Sequence, residues 1–324
     1  MGTVVALAAQ IGGAKLADGF YRLRGKDLAV VVNTGDDYEQ FGLTFSPDLD
    51  TMLYTLAGIA SPSAGWEPEG ETFSLFEMLK SLGGSDRFRI GDKSLAAALL
   101  RSGGLYDRRR LTEITLDFCR NLGVTARILP ASDDPLRTQL LTDDGAVSFQ
   151  EYFVELGCEP EVRGFQYAGA DQARISDELL DALYAKDLEA VVICPSNPYH
   201  SIRPILEVNG MKELLRRCGA PVVAVTPIIG GHALKGSAAK MMRELGRDVS
   251  ARSVAMEYLR IIDGFVIDEE DAGLAEGIRA SGIQVISAKT IMRSVDDRIA
   301  LAQTVLDFAQ SVREAKDKAR EEEG

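Results

Sequence analysis

Short apolar runs rich in β-branched residues recur along the chain, and each is continuous rather than alternating with polar positions. Such a run predicts a strand buried on both faces, as in a parallel sheet that helices cover on each side. Seven runs fit this description: Thr3–Leu7, Leu28–Val32, Val124–Leu129, Val191–Cys194, Val222–Thr226, Gly264–Ile267 and Gln284–Ile286.

Apolar residues at helical spacing lie between these runs, in Asp177–Tyr184, Val208–Cys218 and Lys240–Leu245. Ser294–Gly324 has the pattern of a long amphipathic helix. Strands that alternate with helices predict an α/β fold with a doubly wound, mostly parallel sheet and helices on both faces.

The span from about residue 65 to residue 169 is less regular. Within it, Asp143-Asp144-Gly145 separates the strand-like runs Arg137–Leu141 and Ala146–Phe153, which predicts a hairpin. We therefore interpret residues 1–324 as a single domain with an inserted α+β subdomain at about 65–169 that covers one end of the sheet.

Two acidic segments follow the second predicted strand. They contain Asn33, Thr34, Asp36 and Asp37, and then Ser46, Asp48 and Asp50. Ligands bind at the carboxyl ends of strands in open α/β sheets. Two aspartates one residue apart, next to the rigid Pro47, can face one hard cation or the polyol of a substrate. A helix N-cap is the alternative role, and it suits Asp36 and Asp37 better than Asp48 and Asp50.

Glycine-rich loops follow two other predicted strands. Gly12-Gly13-Ala14-Lys15 opens a helix after the first strand, and Gly230-Gly231 precedes Lys235. Backbone N–H groups at a helix start can bind phosphate, and a lysine adds positive charge. A simple turn is the alternative for the first loop, since neither loop has the spacing of a Walker A or G-x-G-x-x-G motif.

Polar clusters follow two more predicted strands. They contain Ser132, Asp133, Asp134 and Arg137 in one loop, and Ser196, Asn197 and Ser201 in the other. The first cluster can hold a phosphate and a metal, although Asp-Asp-Pro also forms turns. Pro195 and Pro198 stiffen the second loop, which predicts a binding loop, with His200 expected at the surface. Together these strand ends predict a convergent nucleotide- and phosphate-binding site.

Composition narrows the function classes. The chain has 324 residues and a formal net charge of −13, which argues against nucleic-acid and anionic-membrane partners because both require a basic field. No run has the length of a membrane span. The four cysteines lack metal-ligand spacing and are interpreted as reduced, mostly buried thiols of a cytoplasmic protein. With only two histidines, a histidine-based metal centre or a Ser/His relay is not expected.

The chain resembles the 2-phospho-L-lactate transferase family, CofD, from the first strand to about Gly246. Six ordered segments carry the resemblance: Val-Asn-Thr-Gly-Asp-Asp, Ser-Pro-Asp-Leu-Asp-Thr, Ser-Asp-Asp-Pro-Leu-Arg-Thr, Phe-Gln-Glu-Tyr-Phe, Pro-Ser-Asn-Pro and Pro-Ile-Ile-Gly-Gly. The resemblance implies a homodimer with a Rossmann-like core. It also implies a magnesium-dependent step in coenzyme F420 biosynthesis, in which a phosphorylated three-carbon acid moves from a guanosine diphosphate ester to the ribityl hydroxyl of the deazaflavin Fo, releasing GMP.

The family pattern places Fo contacts at Asp50 and Arg89, and we add Asn33, Thr34 and Ser46 from the same strand end. It places the guanine nucleotide against the glycine-rich loop and Pro195–Pro198. In the mechanism we expect, Asp48 and Asp50 bind Mg²⁺ or orient the attacking hydroxyl. The positive charges of Lys15, Arg137 or Lys235 then offset charge on the diphosphate.

Three departures from the family pattern leave the transferred acid open. Ala9-Gln10 replaces the family's first glycine pair, Ala131 replaces a methionine, and Gly91-Asp92-Lys93-Ser94 stands where Gly-Asp-Arg-Asp is usual. The candidates are 2-phospho-L-lactate, phosphoenolpyruvate and 3-phospho-D-glycerate. The alternative from another class is a nucleotide-sugar-binding regulator of related fold without transferase activity.

Overall fold

A seven-stranded, all-parallel sheet forms the centre of the molecule in a computed structural model, which describes residues 2–84, 86, 88–233 and 236–323. Its strands are β1 (Thr3–Ala8), β2 (Leu28–Val32), β5 (Arg127–Pro130), β9 (Leu188–Ile193), β10 (Val222–Val225), β13 (Gly264–Asp268) and β14 (Gln284–Ala288). Their order across the sheet is β14-β13-β10-β9-β1-β2-β5. The seven predicted strands and their parallel arrangement are confirmed.

Alternate residues of each central strand face opposite layers of the core. In β1, Val5 and Leu7 belong to one apolar cluster, whereas Val4 and Ala6 belong to the other. Every residue of β2 is buried, because helices cover both faces of the sheet. This two-sided burial explains why the strand sequences are continuously apolar.

Twelve helices lie in the part of the chain that the structure describes. They are α1 (Gln10–Arg24), α2 (Pro47–Leu56), α3 (Ser74–Ser81), α4 (Asp92–Tyr106), α5 (Leu111–Asn121), α6 (Asp177–Leu183), α7 (Arg203–Glu207), α8 (Met211–Arg217), α9 (Ala238–Glu244), α10 (Ala251–Glu257), α11 (Ala275–Arg279) and α12 (Val295–Glu323). Helices α1, α2, α5 and α12 cover one face of the sheet, and helices α6 to α11 cover the other. The helices predicted at Asp177–Tyr184, Val208–Cys218, Lys240–Leu245 and Ser294–Gly324 correspond to α6, α8, α9 and α12.

Smaller antiparallel elements surround the sheet. The predicted hairpin consists of β6 (Arg137–Thr142) and β7 (Gly145–Ser148), and β8 (Gly164–Ala168) adds a third strand beside β6. Two short hairpins, β3 (Tyr38–Gln40) with β4 (Leu43–Phe45) and β11 (Ile228–Ile229) with β12 (His232–Ala233), were not predicted. Within the span 65–169, β5 joins the central sheet, so the segments outside that sheet precede and follow β5.

The order of connection defines one switch point in the sheet. The chain runs outward from β1 through β2 to β5, and then continues on the other side of β1 with β9, β10, β13 and β14. The adjacent strands β1 and β9 therefore continue toward opposite edges of the sheet, β1 to β2 and β9 to β10. Ligands bind beside the loops that follow two such strands in folds of this kind. Among the described residues, no helix combines the length and apolar character needed to cross a membrane.

Candidate active site at the ends of β1, β2 and β9

The two loops at the switch point are packed directly against each other. A Cβ at Gly12 would lie 2.4 Å from the Pro195 carbonyl oxygen, and one at Gly13 would lie 2.8 Å from Ser196 Oγ. Ser196 Oγ also donates a hydrogen bond of 2.8 Å to the Ala9 carbonyl oxygen. The absence of side chains at Gly12 and Gly13 thus allows close approach of the β9 loop to the start of α1.

Asn197 and Ser201 stabilise the turn that follows β9. Asn197 Oδ1 accepts a hydrogen bond from the Tyr199 N–H at 2.9 Å, and both side chains are buried. Ser201 Oγ lies 3.4 Å from Nδ1 of His200. This turn therefore holds a fixed set of polar groups beside the end of β2.

Asp48 connects the starts of two helices. It lies in the first turn of α2, where its Oδ1 accepts a hydrogen bond from the Gln10 N–H at 2.8 Å and its Oδ2 accepts one from Asn33 Nδ2 at 2.9 Å. Burial and the nearby Asp36 carboxylate raise the pKa of Asp48 to about 7. Asp48 is therefore a carboxyl group that two hydrogen bonds hold in place and whose pKa lies near neutrality.

Asp36 pairs with a histidine in the interior. Its Oδ2 lies 3.1 Å from Nδ1 of His200, and the imidazole ring stacks on Phe149 with ring centroids 3.9 Å apart. His200 is only 1% exposed, so the expected surface position was wrong. The ring is buried because the turn after β9 directs it into the space between the end of β2 and Phe149.

Asp37 points the other way, toward α2. Ser46 Oγ donates a hydrogen bond of 2.7 Å to Asp37 Oδ2, so Ser46 does not cap α2 with its side chain. Burial raises the pKa of Asp37 to about 8, while the hydrogen bond from Ser46 and the charges of Arg101 and Arg137 oppose that rise.

Asp50 forms an ion pair with Arg101 of α4. Nη2 of Arg101 contacts Oδ1 of Asp50, and Nη1 lies 3.3 Å from Oδ2, so both oxygens are engaged. Arg101 is 1% exposed. Burial raises the pKa of Asp50, and the Arg101 guanidinium opposes that rise. A buried pair of this kind ties α2 to α4.

Asp48 and Asp50 therefore have separate partners. Two positions apart on a helix, they point to different sides, one toward the switch point and the other toward α4. Buried oxygens without a hydrogen-bond partner remain at Asp36 Oδ1, Asp37 Oδ1 and Thr34 Oγ1. No group of three His, Cys, Asp or Glu side chains in the described ranges could by itself hold a metal ion.

Arg89 lies at the edge of a small aromatic cluster. Its guanidinium carbon is 3.6 Å from the centroid of the Phe73 ring, and the side chain is exposed. The cluster also contains Tyr38, which stacks on Phe45 with centroids 5.0 Å apart. The cluster includes Phe76 of α3 and Leu95 of α4, so Arg89 lies beside a region formed by the β3–β4 hairpin, α3 and α4. Helix α4 also carries Arg101, the partner of Asp50.

The loop after β5 uses its polar side chains within the fold. Ser132 Oγ donates to the Arg174 carbonyl oxygen at 2.7 Å, and Asp134 pairs with the Arg174 guanidinium. Asp133 Oδ1 accepts a hydrogen bond of 2.7 Å from the Thr112 N–H at the start of α5. The serine and the two aspartates of this loop are therefore hydrogen-bonded to neighbouring elements, and their role in phosphate binding stays a prediction.

The remaining phosphate-binding candidates have varied surroundings. Lys15 Nζ donates to the Met292 carbonyl oxygen at 3.0 Å. Gly230 donates its N–H to Asp271 Oδ2 at 3.1 Å and lies against the Glu270 carboxylate, so this loop has an acidic neighbourhood. Lys235 lies outside the described residues.

Sequence patterns did not identify Arg101 or His200. Arg101 lies on a helix with apolar surroundings, and its sequence separation from Asp50 gives no indication of contact. Phe149 was noted only as part of a motif, whereas the structure places its ring on His200.

Two of the four cysteines, Cys119 and Cys194, are buried, and Cys158 and Cys218 are half-buried.

The fold has a solved counterpart. A protein of the UPF0052 family from Bacillus halodurans matches with a TM-score of 0.60 and 18% sequence identity, over 94% of this chain and 99% of that one. At this level of identity the similarity concerns the fold alone.

Sequence comparison identifies the family. The model of the family described as 2-phospho-L-lactate transferase CofD matches residues 4–296. A 2-phospho-L-lactate transferase from Methanosarcina mazei is 38% identical, covering 91% of this chain and 96% of that protein. A phosphoenolpyruvate transferase from Streptomyces griseus is 36% identical, covering 96% and 99%. This chain is therefore an enzyme of the transferase class and belongs to the CofD family.

Proposed function

We propose that this enzyme transfers a phosphorylated three-carbon acid from its guanosine diphosphate ester to the terminal ribityl hydroxyl of the deazaflavin Fo, releasing GMP, in coenzyme F420 biosynthesis. The observation that carries the proposal is the set of four buried carboxylates, Asp36, Asp37, Asp48 and Asp50, around the end of β2 and the start of α2. Burying so much acid is costly unless a cation or a proton-transfer role uses it.

The reaction requires one bond to form and one to break. The hydroxyl oxygen of Fo attacks the phosphorus that carries the acid, a new P–O bond forms, and the P–O bond to the GMP phosphate breaks with its electron pair leaving on GMP. The hydroxyl proton passes to a carboxylate, for which we propose Asp50. Positioning and charge stabilisation provide most of the catalysis in such transfers.

We propose that Asp36 and Asp48 hold a magnesium ion. Asp36 Oδ1 is a buried oxygen without a hydrogen-bond partner. Asn33 Nδ2 donates to both Asp48 Oδ2 and the His200 carbonyl oxygen, and the His200 ring contacts Asp36, which supports a shared site for the two carboxylates. Two carboxylates fit Mg²⁺, which typically takes one or two protein carboxylates and completes its shell with water and substrate phosphates. When bound, the ion would offset the charge on the diphosphate.

This assignment revises the expected pair of Asp48 and Asp50. Arg101 engages both oxygens of Asp50, and its positive charge opposes a second cation there. We therefore assign Asp50 to the attacking hydroxyl of Fo, with Arg101 fixing the orientation of its carboxylate. Arg89 would contact Fo from the opposite side of the aromatic cluster, and Asn33, Thr34 and Ser46 would line the approach.

The guanine nucleotide would bind at the switch point, along the α1 start and the Ser196–Asn197 loop, with Lys15 and Arg137 as the nearby positive charges. Ser201, Gly12 and Gly13 would shape that surface, and Ser132, Asp133 and Asp134 would support it. Gly230, Gly231 and Lys235 stay a second candidate site for the nucleotide.

We also propose that the protein is a homodimer, because α4 exposes the apolar side chains Leu99, Leu100 and Tyr106. Light scattering would measure the molecular mass.

The test is a coupled reaction with Fo, Mg²⁺, GTP, a guanylyltransferase and one acid at a time. Mass spectrometry of the deazaflavin product would identify transfer of 2-phospho-L-lactate, phosphoenolpyruvate or 3-phospho-D-glycerate. Failure of all three with the wild-type enzyme would overturn the proposal, and full turnover by Asp50→Asn would overturn the role of Asp50. Lack of Fo binding, followed by fluorescence, would instead favour the nucleotide-sugar-binding alternative.

A further inference from the structure

A small cavity of about 130 Å³ lies beside the acidic turn that follows β2. Asp36 and Asp37 line one side, while Arg137, Gln139, Ser148 and Gln150 line the side formed by β6, β7 and the residues after β7. Pockets for drug-sized ligands begin at about 300 Å³, so this space fits only a small molecule or a small part of a larger one. A nucleoside or the deazaflavin ring is too large for it.

Arg137 provides the positive charge in this lining. Its Nη1 donates to the Leu136 carbonyl oxygen at 2.7 Å, and it forms no ion pair with a residue in the described ranges. Its charge acts on Asp37, where it opposes the rise in pKa that burial causes. A half-buried guanidinium that retains free N–H donors is suited to bind a carboxylate in a two-point contact.

The neutral groups around Arg137 are hydrogen-bonding rather than apolar. The side-chain amides of Gln139 and Gln150 line the cavity. Each amide offers both donors and an acceptor. Ser148 Oγ accepts a hydrogen bond from the Glu151 N–H at 3.2 Å and keeps its own hydrogen available. The cavity therefore combines one cation with several neutral donors, next to Asp36.

We propose that this cavity is the subsite for the three-carbon acid of the donor, and that Arg137 binds the carboxylate of that acid. The inference rests on the proposed function and deepens it. Asp36 belongs both to the cavity wall and to the magnesium site proposed above, so an acid bound here is adjacent to the phosphate that is transferred. Gln139, Ser148 and Gln150 contact the carbon atoms and oxygen substituents by which the candidate acids differ.

The test compares two synthetic donors that differ only in the carboxylate. One is the GDP ester of L-lactate through its 2-hydroxyl, and the other is the isopropyl ester of GDP, in which a methyl group replaces the carboxylate. For each enzyme, the ratio of kcat/KM for the two donors is measured with Fo and Mg²⁺. This ratio does not depend on the fraction of enzyme that is correctly folded.

We expect the wild-type enzyme to prefer the lactate ester by about 10- to 100-fold, the scale of hydrogen bonds between charged groups. Arg137→Gln should lower that preference to about threefold or less, whereas Arg137→Lys should retain part of it because the charge remains. The matched control is Arg163→Gln, since Arg163 is an exposed arginine paired with Asp143 and Glu161 near the same small sheet. Its preference should equal that of the wild type.

Two results would overturn the inference in different ways. If Arg137→Gln transfers both groups with the wild-type preference for the lactate ester, the proposed subsite is ruled out but the proposed function stands. No transfer of either group to Fo by the wild-type enzyme would overturn the proposed function, and the subsite with it.

Discussion

The carboxylate of Asp36 and the imidazole of His200, 164 residues apart in the chain, lie 3.1 Å apart in the interior. Because a carboxylate oxygen accepts, this contact places the ring hydrogen on Nδ1. The His200 carbonyl oxygen also accepts a hydrogen bond of 3.3 Å from Asn33 Nδ2. The turn after β9 therefore orients the acidic turn after β2 at two points, and Phe149 holds the ring in place.

His200→Phe should weaken magnesium binding. The substitution preserves an aromatic ring against Phe149 but removes the hydrogen that Asp36 Oδ2 accepts, so the carboxylate loses its orientation. Loss of such a supporting contact typically costs about 10- to 100-fold in metal affinity or activity. The Mg²⁺ concentration for half-maximal activity is the measurement. His200→Gln, which can still donate, should recover part of the loss; an unchanged Mg²⁺ requirement in His200→Phe would exclude this role.

Asp36→Asn and Asp48→Asn should each raise the Mg²⁺ concentration for half-maximal activity, because each removes one negative oxygen ligand from the proposed site. The effect should be at least about tenfold, by the same scale as for other contacts to a bound metal. Glu39→Gln is the matched control, since this acidic side chain is exposed on β3. Isothermal titration calorimetry in the presence of GDP should show weaker Mg²⁺ binding by Asp36→Asn and Asp48→Asn than by the wild type and Glu39→Gln. A higher Mg²⁺ requirement in Asp50→Asn alone would refute the assignment of Asp36 and Asp48 to the metal site.

Arg101→Met should destabilise the fold strongly. The substitution leaves the Asp50 carboxylate buried without its partner, and breaking a buried pair from one side costs about 3–5 kcal/mol. Urea unfolding would measure the change in the free energy of unfolding. Arg109→Met, which removes a surface pair with Asp117, should leave the free energy of unfolding close to that of the wild type.

The double variant Asp50→Leu/Arg101→Met distinguishes burial of charge from loss of packing. It removes both charges, and replacing a buried pair by apolar groups is often neutral, so it should be more stable than Arg101→Met alone. If the two variants are equally unstable, the destabilisation comes from lost packing of the arginine side chain instead.

Stability in the absence of magnesium should fall as the pH rises, and Asp37 should contribute to the fall. The pKa of Asp37 is raised to about 8 by burial, above the value of about 3.9 in an unfolded chain. The contribution of protonated Asp37 to the free energy of unfolding is therefore fully present below about pH 4 and is lost as the pH rises through about 8. Between these limits one proton contributes a slope of at most about 1.4 kcal/mol per pH unit.

Urea unfolding in EDTA at a series of pH values would measure this slope. Asp37→Asn cannot ionise, so the difference in unfolding free energy between the variant and the wild type should grow with pH. Asp48, with a pKa raised to about 7, acts in the same direction and remains in both proteins. Parallel curves for the two proteins would show that Asp37 does not titrate in this range.

The central sheet could be predicted because its strands bury both faces, which makes Leu28–Val32 and its counterparts continuously apolar. The short strands β3, β4 and β8 could not, since half-exposed strands of three to five residues have too few positions to show a period. The buried acidic positions near the end of β2 were visible as residue types at a strand end. Their partners were not, because Arg101 and His200 reach the site only through tertiary packing.

Gln10 has an unusual backbone conformation at the start of α1. It adopts a φ of 54°, which residues other than glycine rarely adopt. Its N–H donates to Asp48 Oδ1, so this conformation is fixed by the site itself. A non-glycine residue held in such a conformation costs on the order of 1 kcal/mol or more.

Gln10→Gly should therefore raise the free energy of unfolding by up to about 1 kcal/mol, because relief of the strained φ exceeds the added entropy of glycine in the unfolded chain. Gln10→Ala is the control, since alanine keeps a Cβ and therefore the strain, and it should give no such gain. Urea unfolding of the three proteins would measure both changes. If Gln10→Gly is no more stable than Gln10→Ala, the backbone at this position is not strained, and the residue is retained for contacts of its side chain instead.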